Sequence, residues 1–304
     1  MKQFDVLTIG EALVDFIPLD GSLNHQFHSS VGGAPLNVAI GIAKLGGRTA
    51  MVGRVGTDPL GEEILTTLRQ YGVDCSMMQL DRERHTTITL VMPKNSDMQR
   101  YLIYRDADCA LDCSQLPAEL FSRTRLVHVG VLLNVMPAAS SQISMLLQTA
   151  KACGAEISLD VNMRPGCWRD ASDMIRESRC LAEMADIIKV TVEEMKMMDL
   201  PVQQYSADGK IILVTDGDRD IHAFWNRHEF VMPVKKVPVR DVTGAGDAFL
   251  AAFLYAYSRS DTKNMELIAR CVEAGMCAGS FSIQRTGAHP SYPTYADIFE
   301  KEVE

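Results

Sequence analysis

The sequence predicts an α/β fold: a Rossmann-like three-layer sandwich with a mostly parallel central sheet and helices on both faces. Two observations carry that expectation. Short β-rich runs alternate with helical patterns along the chain, and no repeat, low-complexity segment or linker divides it, so residues 1–304 read as one domain. The first unit is a strand over 6–9 and a helix over 36–45, followed by a strand over 49–52 and a helix over 61–71. Further strands follow over 126–129, 156–161, 187–190 and 211–215, with helices over 138–153, 172–184 and 192–198 between them. The stretch 248–257 has no Gly or Pro and places Phe249, Phe253 and Tyr257 at the four-residue spacing of a buried helical face. In such a sheet ligands bind beyond the carboxyl ends of the strands, and Gly10, Asn162 and Thr191 fall just past three of them. One segment breaks the alternation. Runs over 86–92 and 100–104 flank Lys94-Asn95-Ser96-Asp97, and the first alternates as a two-faced hairpin strand would, which suits a lid and a plain surface hairpin equally.

Composition narrows the function classes. With 47% hydrophobic and 23% charged residues, a chain of 304 can build a substantial core. A net charge of −9 argues against a nucleic-acid surface, which needs clustered Lys and Arg. No apolar run reaches the roughly eighteen residues of a membrane span, and Met1 leads into a short strand-like run without a signal-peptide core, so a cytoplasmic location is expected. The eight cysteines include no Cys-x-x-Cys pair and read as reduced core thiols. The histidines lack ligand spacing.

The most informative stretch is Asp241-Val242-Thr243-Gly244-Ala245-Gly246-Asp247. Gly244 and Gly246 allow a sharp turn that aims consecutive N–H groups, including that of Ala245, at one point where an anion would sit. Asp247 lies at the mouth of the following helix, where the unpaired N–H groups and the helix dipole favour negative charge. A carboxylate beside a phosphate cradle can take the proton of a hydroxyl attacking phosphorus, which is small-molecule kinase chemistry. A glycine turn with Asp247 as a plain helix cap fits these seven residues as well. The chain has neither a P-loop nor a complete dinucleotide fingerprint.

This turn, together with Gly32-Gly33-Ala34-x-x-Asn37-x-Ala39, resembles the two signatures of the ribokinase-like, or PfkB, carbohydrate kinases. The likeness runs from Thr8-Ile9-Gly10-Glu11 to Gly287-Ala288-His289-Pro290-Ser291. Gly10-Glu11-Ala12-Leu13-Val14-Asp15-Phe16, Ala107-Asp108 and Asp160-Val161-Asn162-Met163-Arg164-x-x-x-Trp168 look most like the fructokinase branch. The resemblance implies a ribokinase-like fold and transfer of the γ-phosphoryl group of ATP, with Mg²⁺, to a sugar such as fructose. A 2-keto-3-deoxygluconate, ribosyl or nucleoside kinase is the alternative, and a non-catalytic sugar-binding protein the different class. It also implies a lid from segments about 13–32 and 85–106, closing over the sugar and excluding water, through which a homodimer could form.

By resemblance, Asp15, Gly32, Gly33, Asn37 and Arg105 bind the sugar. Read alone, Asp15 is a loop acid and Asn37 a helix-start residue. Arg164 and Asn162 line the transferring phosphate, with Lys189, Thr215 and Gly217 toward the rest of ATP, and Asp247 is the base beside Gly244, Ala245 and Gly246. Asn162 and Arg164, two residues apart, would share one face of an extended segment. Glu194 would organise waters around Mg²⁺, while Asp241, Thr243 and Ser291 would hold a monovalent cation, K⁺. The chain departs from the pattern at Thr191, where the family often has Asn, and at Asp220, where it has Gly. Two decoys fail on their own terms. Asp216-x-Asp218-x-Asp220 lacks the Gly and closing Glu of a calcium loop, and Gly275-Met276-Cys277-Ala278-Gly279 lacks the acid a hydrolase elbow needs before His289.

Overall fold

A computed structural model describes residues 2–19, 26–91, 101–135 and 137–300. The predicted turn at Lys94, Asn95, Ser96 and Asp97 lies outside these, as do parts of both lid segments. In chain order the elements are β1 (Phe4–Ile9), β2 (Leu13–Pro18), β3 (Phe27–Gly32), α1 (Ala34–Lys44), β4 (Thr49–Val52), β5 (Arg54–Gly56), α2 (Pro59–Gln70), β6 (Gln79–Asp81), β7 (Ile88–Val91), β8 (Tyr101–Tyr104), α3 (Ala118–Ser122) and β9 (Thr124–Gly130). Then follow α4 (Pro137–Ala152), β10 (Glu156–Asp160), α5 (Ala171–Met184), β11 (Ile187–Thr191), α6 (Val192–Met197), α7 (Val202–Ala207), β12 (Ile211–Thr215), β13 (Ile221–Trp225), β14 (His228–Met232), α8 (Ala245–Ser258), α9 (Met265–Ser282) and α10 (Tyr295–Phe299).

The large sheet has the order β14-β13-β12-β11-β10-β9-β1-β4, parallel from β12 to β4, with β13 and β14 antiparallel at one edge. The pleat sends alternate side chains to opposite faces. Val127, Val129, Leu159, Ile188 and Ile212 pack with Leu147 of α4 and Met174 of α5, while Leu126, Ile187 and Leu213 pack under α1, α8 and α9. Each such side chain, fully removed from water, contributes about 1.5–3 kcal/mol. The aromatic stripe of α8 is buried as predicted, with Phe249 stacked on Phe253 at 6.5 Å and Phe253 on Tyr257 at 6.1 Å between ring centres. A second, smaller sheet, β3-β2-β7-β8, stands apart from the first and is built from the segments expected to form a lid.

Parallel strands put all their carboxyl ends on one side, and the chain reverses direction across the sheet between β1 and β9. There the ends of β1, β10 and β11 meet the N-termini of α1 and α8. Among the described residues no helix is long and apolar enough to cross a membrane. All eight cysteines are free, but only Cys271 is buried and Cys180 is exposed, so the expectation of core thiols holds for one of them. The Gly275–Gly279 decoy lies inside α9, where the bare Cα of Gly275 lets the helix close on Phe249.

Candidate active site

A glycine turn forms at the start of α8, which begins earlier than expected, at Ala245, and the Ala245 N–H expected to face an anion donates instead to the Val242 carbonyl at 3.2 Å. Gly244 takes φ 72° and caps α8, and a Cβ there would run into the Tyr292 hydroxyl and Ala288. A Cβ on Gly246 would lie 3.2 Å from Lys189 Nζ. Beside the turn is a cavity of about 180 Å³ lined by Asp160, Asn162, Arg164, Lys189, Tyr101 and the residues from Val242 to Asp247. Asp247 is half-buried at its floor, in the first turn of α8, and its Oδ2 accepts a 2.8 Å hydrogen bond from Asn37 Nδ2. Burial pushes its carboxyl up to about 7. Asp160 adds to the rise, and Asn37, Lys189 and Arg164 oppose it. At neutral pH this group is poised between base and acid.

Lys189 and Asp160 are register partners on β11 and β10, and the ammonium bonds both carboxylate oxygens at 3.0 and 2.9 Å. Both are buried. Burial alone would depress the lysine, but Asp160, with smaller help from Glu194 and Asp247, carries it above its ordinary value, so it stays charged. Asp160 therefore fixes the Lys189 ammonium in place beside the Gly246 backbone, in a pair that is neutral overall.

Asn162 and Arg164 do line one cavity, though not as neighbours on an extended strand. Asn162 has φ 38°, and Arg164 caps a short 3₁₀ turn. The Arg164 guanidinium donates to the carbonyls of Asn162 and Met163 at 3.3 and 3.0 Å, and its Cζ lies 5.4 Å from the centre of the Tyr101 ring of β8. The small sheet thus reaches the same cavity as Arg164. Glu194 shapes this loop from below: Oε1 accepts from Met163 N at 2.6 Å and Oε2 from Thr191 N at 2.9 Å, while Thr191 Oγ1 accepts from Glu194 N in a reciprocal capping box. Thr caps a helix nearly as well as Asn, which accounts for Thr191 in place of the family residue.

On the lid side, Asp15 of β2 sits under Gly32, where a Cβ would come 2.5 Å from its Oδ2. Burial pushes Asp15 up to about 6, against the pull of Thr89, its register partner on β7, and of Arg164. Gly33 has φ 112° and packs on the Glu11 carbonyl, so no other residue suits the turn into α1. Asn37 Oδ1 is buried with no protein partner, an acceptor left for a ligand. Arg105 is not among the cavity-lining residues. Its guanidinium is bound to Asp108 at 2.5 and 2.8 Å and to the Leu132 carbonyl at 2.7 Å.

The candidate cation residues lie together behind the anion turn. Asp241 accepts from Thr243 N and Oγ1 at 3.0 and 2.7 Å and from Gly287 N at 2.9 Å, and Ser291 Oγ donates to the Ala288 carbonyl at 2.7 Å. His289, buried in the same segment, joins it to the lid base through a 3.0 Å hydrogen bond from Nε2 to the Val31 carbonyl. Thr215 ends β12 beside Thr191, and Gly217, at φ 61°, is open with no neighbour near its Cα. Neither lines the cavity. Asp160, Tyr101, Tyr292 and His289 were not singled out from sequence. Asp160 ends a strand inside a quoted motif, a usable signal, but its pairing with Lys189 depends on register.

A family model described as pfkB family carbohydrate kinase matches residues 3–295. Fructokinase-2 of Zea mays is 32% identical over 96% of this chain and 92% of its own length, and the probable chloroplastic fructokinase-6 of Arabidopsis thaliana is 31% identical over 97% and 81%. Among solved structures, a fructokinase double mutant from Vibrio cholerae O395 with fructose, ADP and potassium ion bound superposes with a TM-score of 0.88, at 26% identity and 99% coverage of each chain. An uncharacterized sugar kinase from Pyrococcus horikoshii in complex with ATP gives 0.87, at 26% identity and 98% coverage of each. Two signatures, the sheet with its lid, and this match across nearly the whole length agree: the chain belongs to the pfkB family of carbohydrate kinases and is a sugar phosphotransferase.

Proposed function

We propose that this enzyme transfers the γ-phosphoryl group of ATP to the terminal hydroxyl of fructose, with Asp247 as general base. The observation that carries the reading is Asp247 itself: a carboxyl hydrogen-bonded to Asn37, raised to about 7, and set in the first turn of α8 beside the glycine turn and the cavity. A sugar hydroxyl is a poor nucleophile at neutral pH, so a base within hydrogen-bond reach accelerates attack, typically 10²–10⁴-fold. Asp15, Asn37 and the bare backbone at Gly32 and Gly33 hold the sugar, with Arg105 bracing the lid side through Asp108. The N–H groups of Gly244 and Gly246, the Lys189 ammonium and the Arg164 fork hold the charge that develops on the phosphoryl oxygens. Asn162 orients the phosphate chain, and Thr215 and Gly217 border the nucleotide.

Mg²⁺ carried in on the nucleotide would supply neutralising charge on the phosphates. Such an ion would be held by phosphate and water, with Glu194 beyond. A K⁺ site built from Asp241, Thr243 and Ser291 would brace the anion turn, as potassium accompanies fructose and ADP in the Vibrio structure. The lid exposes Leu19 (60%), Phe27 (37%) and Tyr104 (58%), an apolar edge suited to a homodimer through the lid, and we place the enzyme in the cytoplasm. Phosphate transfer from labelled ATP across ketoses, aldoses, sugar acids and nucleosides tests the substrate. Fructose is expected to have the highest kcat/KM, and a higher value for a nucleoside or a sugar acid would move the enzyme to another branch.

A further inference from the structure

His289 is 6% exposed, and its Nε2 meets the carbonyl of Val31, 258 residues away in the chain, at 3.0 Å. A carbonyl only accepts, so Nε2 is the donor. Tyr71 packs edge-on against the imidazole, 5.3 Å between ring centres, and Lys44 of α1 donates to the His289 carbonyl at 3.1 Å. Ring and backbone are therefore both held. The bond falls on a sheet edge. β3 is the outer strand of the small sheet, and Val31 pairs there with Val14, whose own N–H turns the other way, to the Thr87 carbonyl at 3.1 Å. The Val31 carbonyl thus points off the open side of β3, where Ser30 Oγ comes no closer than 3.5 Å.

Val31 is followed at once by Gly32 and Gly33, the bare backbone against which Asp15 Oδ2 and the Glu11 carbonyl pack. Two successive glycines do not fix their own conformation, and Gly33, at φ 112°, is held by what surrounds it. The loop that carries His289 is anchored to the glycine turn of α8, since Gly287 N donates to Asp241 at 2.9 Å and Ala288 lies against Gly244. We propose that His289 is a positioning residue for the sugar: its Nε2–H ties the Gly32 and Gly33 backbone to the frame of that turn, so that the sugar meets a preformed surface. The inference rests on Gly32 and Gly33 holding the sugar. Without the bond the glycine pair must be ordered when the sugar arrives, and that cost falls on sugar affinity rather than on ATP.

Two substitutions test it. His289→Phe keeps a ring against Tyr71 and removes the donor, while His289→Gln places an amide N–H where Nε2 was. Initial rates are measured with whichever sugar the wild type phosphorylates fastest, so the test does not depend on that sugar being fructose. His289→Phe is expected to raise the sugar KM roughly tenfold, about the size of one lost hydrogen bond, with kcat and ATP KM near wild type. His289→Gln should recover most of the loss. An unchanged sugar KM in His289→Phe, equal rises in the KM of sugar and ATP, or a Gln variant no better than the Phe variant overturns the proposal. If His289→Phe does not fold, His289→Asn, whose amide is too short to reach Val31, takes its place with the same outcomes. Gly32→Ala in parallel separates the two readings: if that variant raises the sugar KM and His289→Phe does not, only the role of His289 falls.

Discussion

At the scale of single residues the chemistry depends on two carboxyls held out of their ordinary range. Asp247 at about 7 must be ionised to act, so kcat/KM should fall about tenfold per unit as pH drops below 7. Asp15, at about 6, must be ionised to accept two sugar hydroxyls, so below pH 6 the fall should steepen toward a hundredfold per unit. A pH profile with a single-proton slope down to pH 5 would remove Asp15 from sugar binding. Arg164→Lys tests the phosphate side. A point ammonium can reproduce neither the paired donors nor the stacking on Tyr101, and the cost should fall on kcat, by about tenfold or more, with little change in sugar KM. Asp247 was legible in the sequence because its glycines, acid and helix are contiguous. Lys189 against Asp160 was not, since only strand register joins residues 29 apart in the chain.

At the scale of elements, close packing decides the outcome. A Cβ at Gly32 would lie 2.5 Å from Asp15 Oδ2, so Gly32→Ala should raise the sugar KM while ATP binding, measured by thermal shift, stays near wild type. Equal losses for both ligands would mean a general loss of folding. Thr191→Ala removes the cap of α6 and should cost about 1 kcal/mol of stability, with a matching rise in ATP KM as the Met163 and Arg164 loop loosens, which chemical unfolding and initial rates would report. Two kinds of element escaped the sequence pattern, each for its own reason. The hairpin β13–β14 turns through Asn226 and Arg227 at φ 50° and 66°, left-handed conformations that usually announce themselves as Asn-Gly. With Arg in the second place no hairpin signal remained. Strands β5 and β6 are three residues each, too short for any periodicity to show.

At the scale of the whole molecule, the site draws on the stability of the fold. The folded-state pKa of Asp247 is raised above its unfolded value, so its contribution to stability is complete below about pH 4 and is lost as pH rises through 7. Asp247→Asn should therefore melt higher than wild type at pH 8, with the gain shrinking toward pH 4–5. An unchanged melting temperature across that range would mean the carboxyl is not held out of water as the structure implies. The parallel sheet was legible because its strands and helices alternate with clear punctuation, and the lid only as a break in that rhythm. The gathering of Asn37, Asp247, Asp160, Lys189 and Arg164 came from topology, which brings the ends of β10 and β11 and the starts of α1 and α8 together. The most direct test is a single-turnover measurement of Asp247→Asn with saturating fructose and ATP. The account predicts phosphoryl transfer slower by about 10² or more, with both ligands still bound. Transfer within a few-fold of wild type would contradict it and leave Asp247 a helix cap.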